Sequence, residues 1–211
     1  MAFDYKKAYK AFYMPKSKPT LVTVPRMNYI AVRGQGDPNE ENGAYKQSIG
    51  LLYGVAFTLK MSRKSDYRIE GYFDYVVPPL EGFWYKEDHV GIDYAHKENF
   101  KWISVIRLPD FVTEKDYLWA CETAQKKKKS DFSKVEFWTY DEGTCVQCMH
   151  VGTYDDEPVT IARMEEYIKN EGYVFDFSPM RIHHEIYLSD PRRVAPEKLK
   201  TVIRLPIQPL S

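Results

Sequence analysis

The sequence predicts an α+β fold. Duplicated strand–helix–strand–strand modules form a curved antiparallel sheet, with helices on one face and a central cleft on the other. Three observations predict it. The pentapeptide Val-Ile-Arg-Leu-Pro occurs at 105–109 and again at 202–206. Each copy closes the same order of strand, helix, strand, strand, and each is preceded by a strand with a carboxylate, Glu81 in one case and Glu185 in the other. Residues 181–188, Arg-Ile-His-His-Glu-Ile-Tyr-Leu, alternate at period two, which is a strand signature. Two such halves sit about a pseudo-twofold axis, and a cleft between repeats is a favoured ligand site.

In chain order, residues 1–18 read as an N-terminal arm, with Tyr5, Tyr9, Phe12 and Tyr13 on one side of a short helix. Residues 20–33 read as one strand, broken by Gly34-Gln35-Gly36-Asp37-Pro38. Asp37 can cap and Pro38 can open a helix over roughly 39–62, with Tyr45, Ile49, Leu52, Tyr53 and Ala56 as its buried stripe. Strands are expected near 67–77, 79–86 and 101–108. Thr113-Glu-Lys-Asp116 has the spacing of a capping box and opens a second helix, with Trp119 packed in its core. The run Lys126–Lys129 suits the negative end of that helix. Strands at 134–140 and 144–152 are joined by a tight Asp141-Glu142-Gly143 connection. Asp155-Asp156-Glu157-Pro158 starts a third helix, and Glu171-Gly172 ends it. Strands at 181–188 and 199–205 finish the fold. The expected domains are the arm, 1–18, and one unit, 19–211, built of modules at about 19–112 and 134–208 joined by a helical insert.

Composition narrows the function. The 30 basic and 30 acidic residues cancel, which disfavours a broad basic face for nucleic acid. No run of 18 apolar residues exists to span a membrane. The start Met-Ala-Phe-Asp-Tyr-Lys-Lys lacks an apolar signal region, and the cysteine count is odd, so a cytoplasmic protein in a reducing compartment is expected. The anomaly is aromatic content: 17 Tyr, 11 Phe and 4 Trp. Such rings serve both β-rich cores and pockets for flat ligands.

On the 181–188 strand, Ile182, His184, Ile186 and Leu188 share the core face, while Arg181, His183, Glu185 and Tyr187 share the other. Glu185 is the first candidate for a functional carboxylate; its bland alternative is an ion pair with Arg181 or a neighbouring cation. Glu81 is either its symmetry-related partner in the cleft or a carboxylate that holds backbone at Gly82. No metal or cofactor is expected. Cys145-x2-Cys148 with His150 is half a zinc site, and alternation sends Cys145 to the face opposite the other two. Gly34-x-Gly36 lacks the third glycine of a dinucleotide fingerprint.

Several segments together resemble the GyrI-like small-molecule-binding family: Gly34-Gln35-Gly36-Asp37-Pro38, Pro79-Leu80-Glu81-Gly82-Phe83-Trp84, Val105 to Val112, His150 to Pro158, and His184 to Arg193. Their order spans roughly 20–208. The resemblance implies two modules making a curved antiparallel sheet, and a hydrophobic cleft with a buried glutamate that pairs with cationic aromatic drugs; Glu185 matches that position. Similar domains form the drug-sensing part of multidrug-responsive regulators, and stand-alone relatives hydrolyse cyclopropanoid DNA-alkylating toxins. Residues 1–18 are too short for a helix-turn-helix domain, so direct gene regulation is not expected.

That chemistry needs a carboxylate to activate water, a hydroxyl donor near the developing phenolate, and aromatic walls. Glu185 is expected as the catalytic carboxylate and Tyr72 as the donor, with Tyr154 as a second candidate. Trp84, Trp102, Trp138, Tyr187, Tyr154, His183 and Glu81 are expected to line the ligand. The expected partner is a planar aromatic or cationic small molecule, with no nucleic acid, no membrane, and a monomer as the default. The alternative is a non-catalytic drug-binding or sequestering protein, or a regulator acting by protein contact.

Overall fold

A computed structural model describes residues 2–86, 92 and 95–210; Met1 and Ser211, at the outer limits of the two expected domains, lie outside them. In chain order the described elements are α1 (Tyr5–Ala8), α2 (Lys10–Tyr13), β1 (Thr20–Val24), β2 (Met27–Gln35), α3 (Ala44–Lys60), β3 (Leu80–Tyr85), β4 (Lys101–Arg107), α4 (Glu114–Lys127), β5 (Glu136–Tyr140), β6 (Gly143–Val151), α5 (Glu157–Asn170), β7 (Tyr173–Phe175), β8 (His183–Tyr187) and β9 (Lys200–Pro209). The α+β class is as expected. The strands form an open antiparallel sheet in the order β1-β6-β9-β8-β3-β4-β2-β5, with β7 added beside β9. Outward from the central β3–β8 pair, the order reads β3-β4-β2 in one direction and β8-β9-β6 in the other. Among the described residues no helix is long and apolar enough to cross a membrane.

The connections force the sheet to curl. Only Pro25 and Arg26 separate β1 from β2, and only Asp141 and Glu142 separate β5 from β6. In each case six strand spacings of about 4.8 Å lie between the joined strands in the sheet order. Two linking residues span far less than that. The edges must therefore approach each other, which gives the sheet an inner and an outer face. The Asp141-Glu142 link is tight as expected, but it makes no hairpin, because β5 pairs with β2 and β6 pairs with β1 and β9. The single strand expected over 20–33 is likewise two, parted at Pro25, whose ring removes a ladder donor.

The inner face holds Val24, Tyr29, Phe83, Ile103, Val105 and Tyr140 in one cluster. The arm closes its open side, with Tyr5 and Tyr13 packed with Ile186 and Val202. The outer face carries the helices: α3 packs Leu52, Val55 and Leu59 with Ile30, Val32 and Ile106, and α5 packs Met164 and Ile168 with Ile203 and Leu205. Helix α4 begins at the predicted capping box, with Thr113 and Asp116 bonded reciprocally. Residues 67–77 are not a strand; a single bridge joins Phe3 to Tyr75. Gly71, at φ +69°, turns the chain there, and Pro78-Pro79 bars a ladder.

Candidate functional site

Strand register places Val32, Ser104, Gly82, Glu185, Ile203 and Cys148 in one row across six strands. Its two ends, Val32 and Ile203, pack with α3 and α5 respectively. Glu185 is therefore on the outer face, between the two helices. Glu185 thus shares the sheet face that carries the helices, not the opposite face on which the cleft is expected. Helices α3 and α5 pack on either side of the β3–β8 seam, which carries the small residues Ser104 and Gly82.

Over that seam the outward residues of β8 meet their neighbours. The Tyr187 hydroxyl donates to Glu185 Oε2 at 2.8 Å, and Trp84 Nε1 donates to the Tyr187 oxygen at 2.7 Å. Gly82 makes room for this chain: a Cβ there would stand 2.7 Å from Trp84 Nε1 and 2.8 Å from the Tyr187 oxygen. From α3, the Tyr45 ring lies 5.1 Å from Trp84, and the Ser48 hydroxyl reaches the Ser104 hydroxyl at 3.2 Å. The Tyr154 ring meets Tyr187 edge-on at 5.9 Å. Glu157, the first residue of α5, and His183 complete the group. Glu157, His183 and Glu185 are 0%, 2% and 5% exposed, so three ionisable side chains share one buried place.

The phenols stay protonated. Burial, followed by the Glu185 charge, holds Tyr187 well above the usual range. Burial also raises Tyr45, partly offset by its hydrogen bond with Tyr187. Tyr154 is pushed up to about 12 by burial and then by Glu185 and Glu157. Each is thus a hydroxyl donor at neutral pH. His183 Nε2 approaches Glu185 Oε1 to 3.1 Å but off the line of a hydrogen bond, and no hydrogen-bond partner satisfies that nitrogen.

The inner face of the same strand is different. His184 Nδ1 lies 2.9 Å from Glu142 Oε1, and its Nε2 lies 2.9 Å from Glu81 Oε2. Both ring nitrogens face carboxylates, so both donate and the ring is an imidazolium. Burial alone lowers the His184 pKa, and the two glutamates outweigh it and raise it. Arg204 Nη1 donates to Glu142 Oε2 at 3.0 Å, and Tyr13 donates to Glu81 at 3.3 Å. Phe83 stacks on His184 at 3.9 Å.

The predicted residues therefore divide. Glu185, Tyr187, His183, Trp84 and Tyr154 come together. Trp102 is buried beside them, in register with Trp84 and edge-on to Tyr45 at 5.2 Å. Glu81 does not join them. It pairs in register with Ile186 on the inner face, so it neither mirrors Glu185 in the cleft nor holds Gly82. Trp138 is also on the inner side, stacked on Tyr140 at 4.7 Å under the Arg33 guanidinium. Tyr72 donates its hydroxyl to the Lys60 carbonyl at 2.6 Å, at the end of α3; without a strand at 67–77, nothing aims it toward Glu185. Cys145 and Cys148 are free, each bonded to a different backbone carbonyl, Glu142 and Ser17. The sequence reading missed Tyr45, Ser48, Ser104 and Glu157 as site residues. Tyr45 does pack against the core and Glu157 does open α5, as the periodicity and the acid-Pro start predict, and both also lie in this cluster.

The family model for the GyrI-like small-molecule-binding domain matches residues 17–208. The chain belongs to the GyrI-like family. An uncharacterized conserved protein from Listeria innocua is 47% identical, with a TM-score of 0.91 over 98% of this chain and 100% of that one. A hydrolase from Listeria innocua is 45% identical, with a TM-score of 0.89 over 98% and 100%. The EcmrR C-terminal domain, 12% identical over 92% and 98%, shares the fold at a TM-score of 0.57. None of the curated proteins matches the chain. As a GyrI-like domain, it is a small-molecule-binding module, and the outer-face cluster is its candidate site.

Proposed function

We propose that this GyrI-like protein binds flat aromatic molecules, cationic ones among them, beside Glu185, and hydrolyses strained cyclopropanoid DNA-alkylating compounds. The observation that carries the reading is the buried Trp84–Tyr187–Glu185 hydrogen-bond chain between α3 and α5. It fixes one carboxylate oxygen, while the other faces His183 Nε2 at 3.1 Å among the surrounding rings. The likeness to a solved hydrolase at 45% identity supports a hydrolytic reaction of some kind.

In the proposed step, Glu185 takes a proton from water as its oxygen bonds to the ring methylene. The cyclopropane C–C bond breaks, and its electron pair moves through the dienone to the distant carbonyl oxygen. Tyr154, protonated at neutral pH, gives that oxygen a proton and regains one from solvent, while Glu185 releases its own. The net change is addition of one water, giving a phenol and an alcohol. Trp84, Tyr45 and Tyr187 hold the substrate flat.

The test is turnover of a cyclopropanoid followed by mass spectrometry. The product should gain the mass of one water, and Glu185→Gln should lose roughly 100-fold or more of the rate with an unchanged circular dichroism spectrum. Equal rates in both proteins would remove Glu185 from the reaction. Tryptophan quenching by planar cations with nothing consumed would favour the second reading, a non-catalytic binder, which the family description supports.

A further inference from the structure

Glu157, His183 and Glu185 each offer one ligand atom, and these atoms lie within 4.8 Å of one another. The three come from separate places: the first turn of α5, and alternate positions on β8. We propose that they form a binding site for a divalent first-row transition cation, with zinc as the representative ion.

Four features support it. The His183 nitrogen is buried without a hydrogen-bond partner and points into the group. Its 3.1 Å approach to Glu185 Oε1 is off-line for a hydrogen bond, yet it matches two ligands of one ion: tetrahedral bonds of about 2.0–2.2 Å set ligand atoms about 3.3 Å apart. The remaining separations exceed that by at most about 1.5 Å, within reach of side-chain rotation in Glu157. Finally, the other Glu185 oxygen already accepts from Tyr187, which itself accepts from Trp84. An outer shell of this kind orients a ligating carboxylate and tunes its affinity.

The donor set selects the ion. One imidazole and two carboxylates, with no thiolate, suit zinc or manganese better than copper(I) or an iron–sulfur cluster, and the imidazole disfavours calcium and magnesium. Three protein ligands leave one tetrahedral position for a water or a ligand atom. The ion occupies the carboxylate that the proposed hydrolysis needs free, so loading should block that reaction.

The experiment is calorimetric titration of EDTA-treated protein with zinc chloride, with bound metal counted by elemental analysis. One equivalent should bind, with a rise in Tm. His183→Gln and Glu157→Gln should each weaken binding by at least roughly 100-fold, the upper end of losses seen for mere outer-shell changes. Glu157→Asp, which keeps a carboxylate, should retain part of it. Circular dichroism confirms that each variant is folded. Wild-type protein that takes up no zinc, or variants that bind it as wild type does, would overturn the site. Turnover measured separately in EDTA decides the hydrolytic reading: zinc uptake without turnover leaves the site standing alone, and turnover without zinc uptake does the reverse.

Discussion

Strand β8 carries two adjacent histidines into two buried polar clusters that obey opposite rules. On the inner face, His184 and Arg204 face Glu81 and Glu142: two cations, two anions, and both imidazole nitrogens engaged. On the outer face, His183 shares its surroundings with Glu157 and Glu185, and among the described residues no lysine or arginine pairs with Glu185. A compensated network rigidifies a core, whereas a buried carboxylate such as Glu185, set beside a second carboxylate, favours a ligand that supplies positive charge. The difference separates what holds the fold from what the fold presents.

The sharpest way to break this contrast is a pair of substitutions. Glu142→Ala strips Arg204 and His184 of their shared partner inside the curl. Loss of one member of a buried ion pair costs about 3–5 kcal/mol. In a chain of this length that lowers Tm by roughly 10 °C. Turnover or ligand binding, measured at a temperature where the variant is folded, should survive. Glu185→Gln should do the converse, losing function while keeping Tm within a few degrees. If both variants lose the same property to the same degree, the two clusters are one.

Acid should find the inner cluster. Burial raises the Glu142 carboxyl, but His184 and Arg204 outweigh it and hold it at about 2, below the usual 4.5. A depressed carboxylate contributes stability that is complete above the ordinary value and lost as pH falls through the folded one. Unfolding should therefore steepen between pH 4.5 and about 2. Glu142→Gln, less stable at neutral pH, should show a flatter profile across that window. Equal slopes for the two proteins in urea melts at several pH values would show that Glu142 is not the group being titrated.

What the sequence made legible follows from the range of each signal. Period two in 181–188 sorted His183 and Glu185 from His184 correctly, because alternation is local. The Thr113–Asp116 box was equally local. The sign of each face was not. Whether His184 meets leucines or glutamates depends on Glu81 and Glu142, 103 and 42 residues away in sequence. Glu81 was misplaced because a repeat in sequence suggested a repeat in role, whereas register set it opposite Ile186. The segment 67–77 carries strand-forming residues, but they pack as a loop beneath the arm, where Tyr75 joins Tyr5 and Tyr13.

Gly82→Ala sharpens the outer side of the comparison. The added methyl would meet Trp84 Nε1 at 2.7 Å and the Tyr187 oxygen at 2.8 Å, forcing the hydrogen-bond chain apart while leaving the inner network untouched. Overpacking of this kind costs typically about 1–3 kcal/mol. The expected result is a modest fall in Tm with a larger fall in ligand affinity, read by tryptophan quenching. A fall in Tm alone would mean that the chain has no part in binding.

Trp84→Phe should have the smallest effect and is the most selective test. It keeps an aromatic wall but removes the donor to Tyr187. The Tyr187 oxygen loses an incoming hydrogen bond, and its own proton still goes to Glu185. A neutral hydrogen bond contributes about 0.5–1.5 kcal/mol, which corresponds to a several-fold change in KM or Kd. If the chain acts by orienting Glu185, kcat should fall with it, because a Tyr187 held less firmly keeps the carboxylate aligned with water less of the time. If Trp84 is only a wall, kcat should hold and KM alone should move, and the tryptophan would belong to the binding surface rather than to the positioning of the carboxylate.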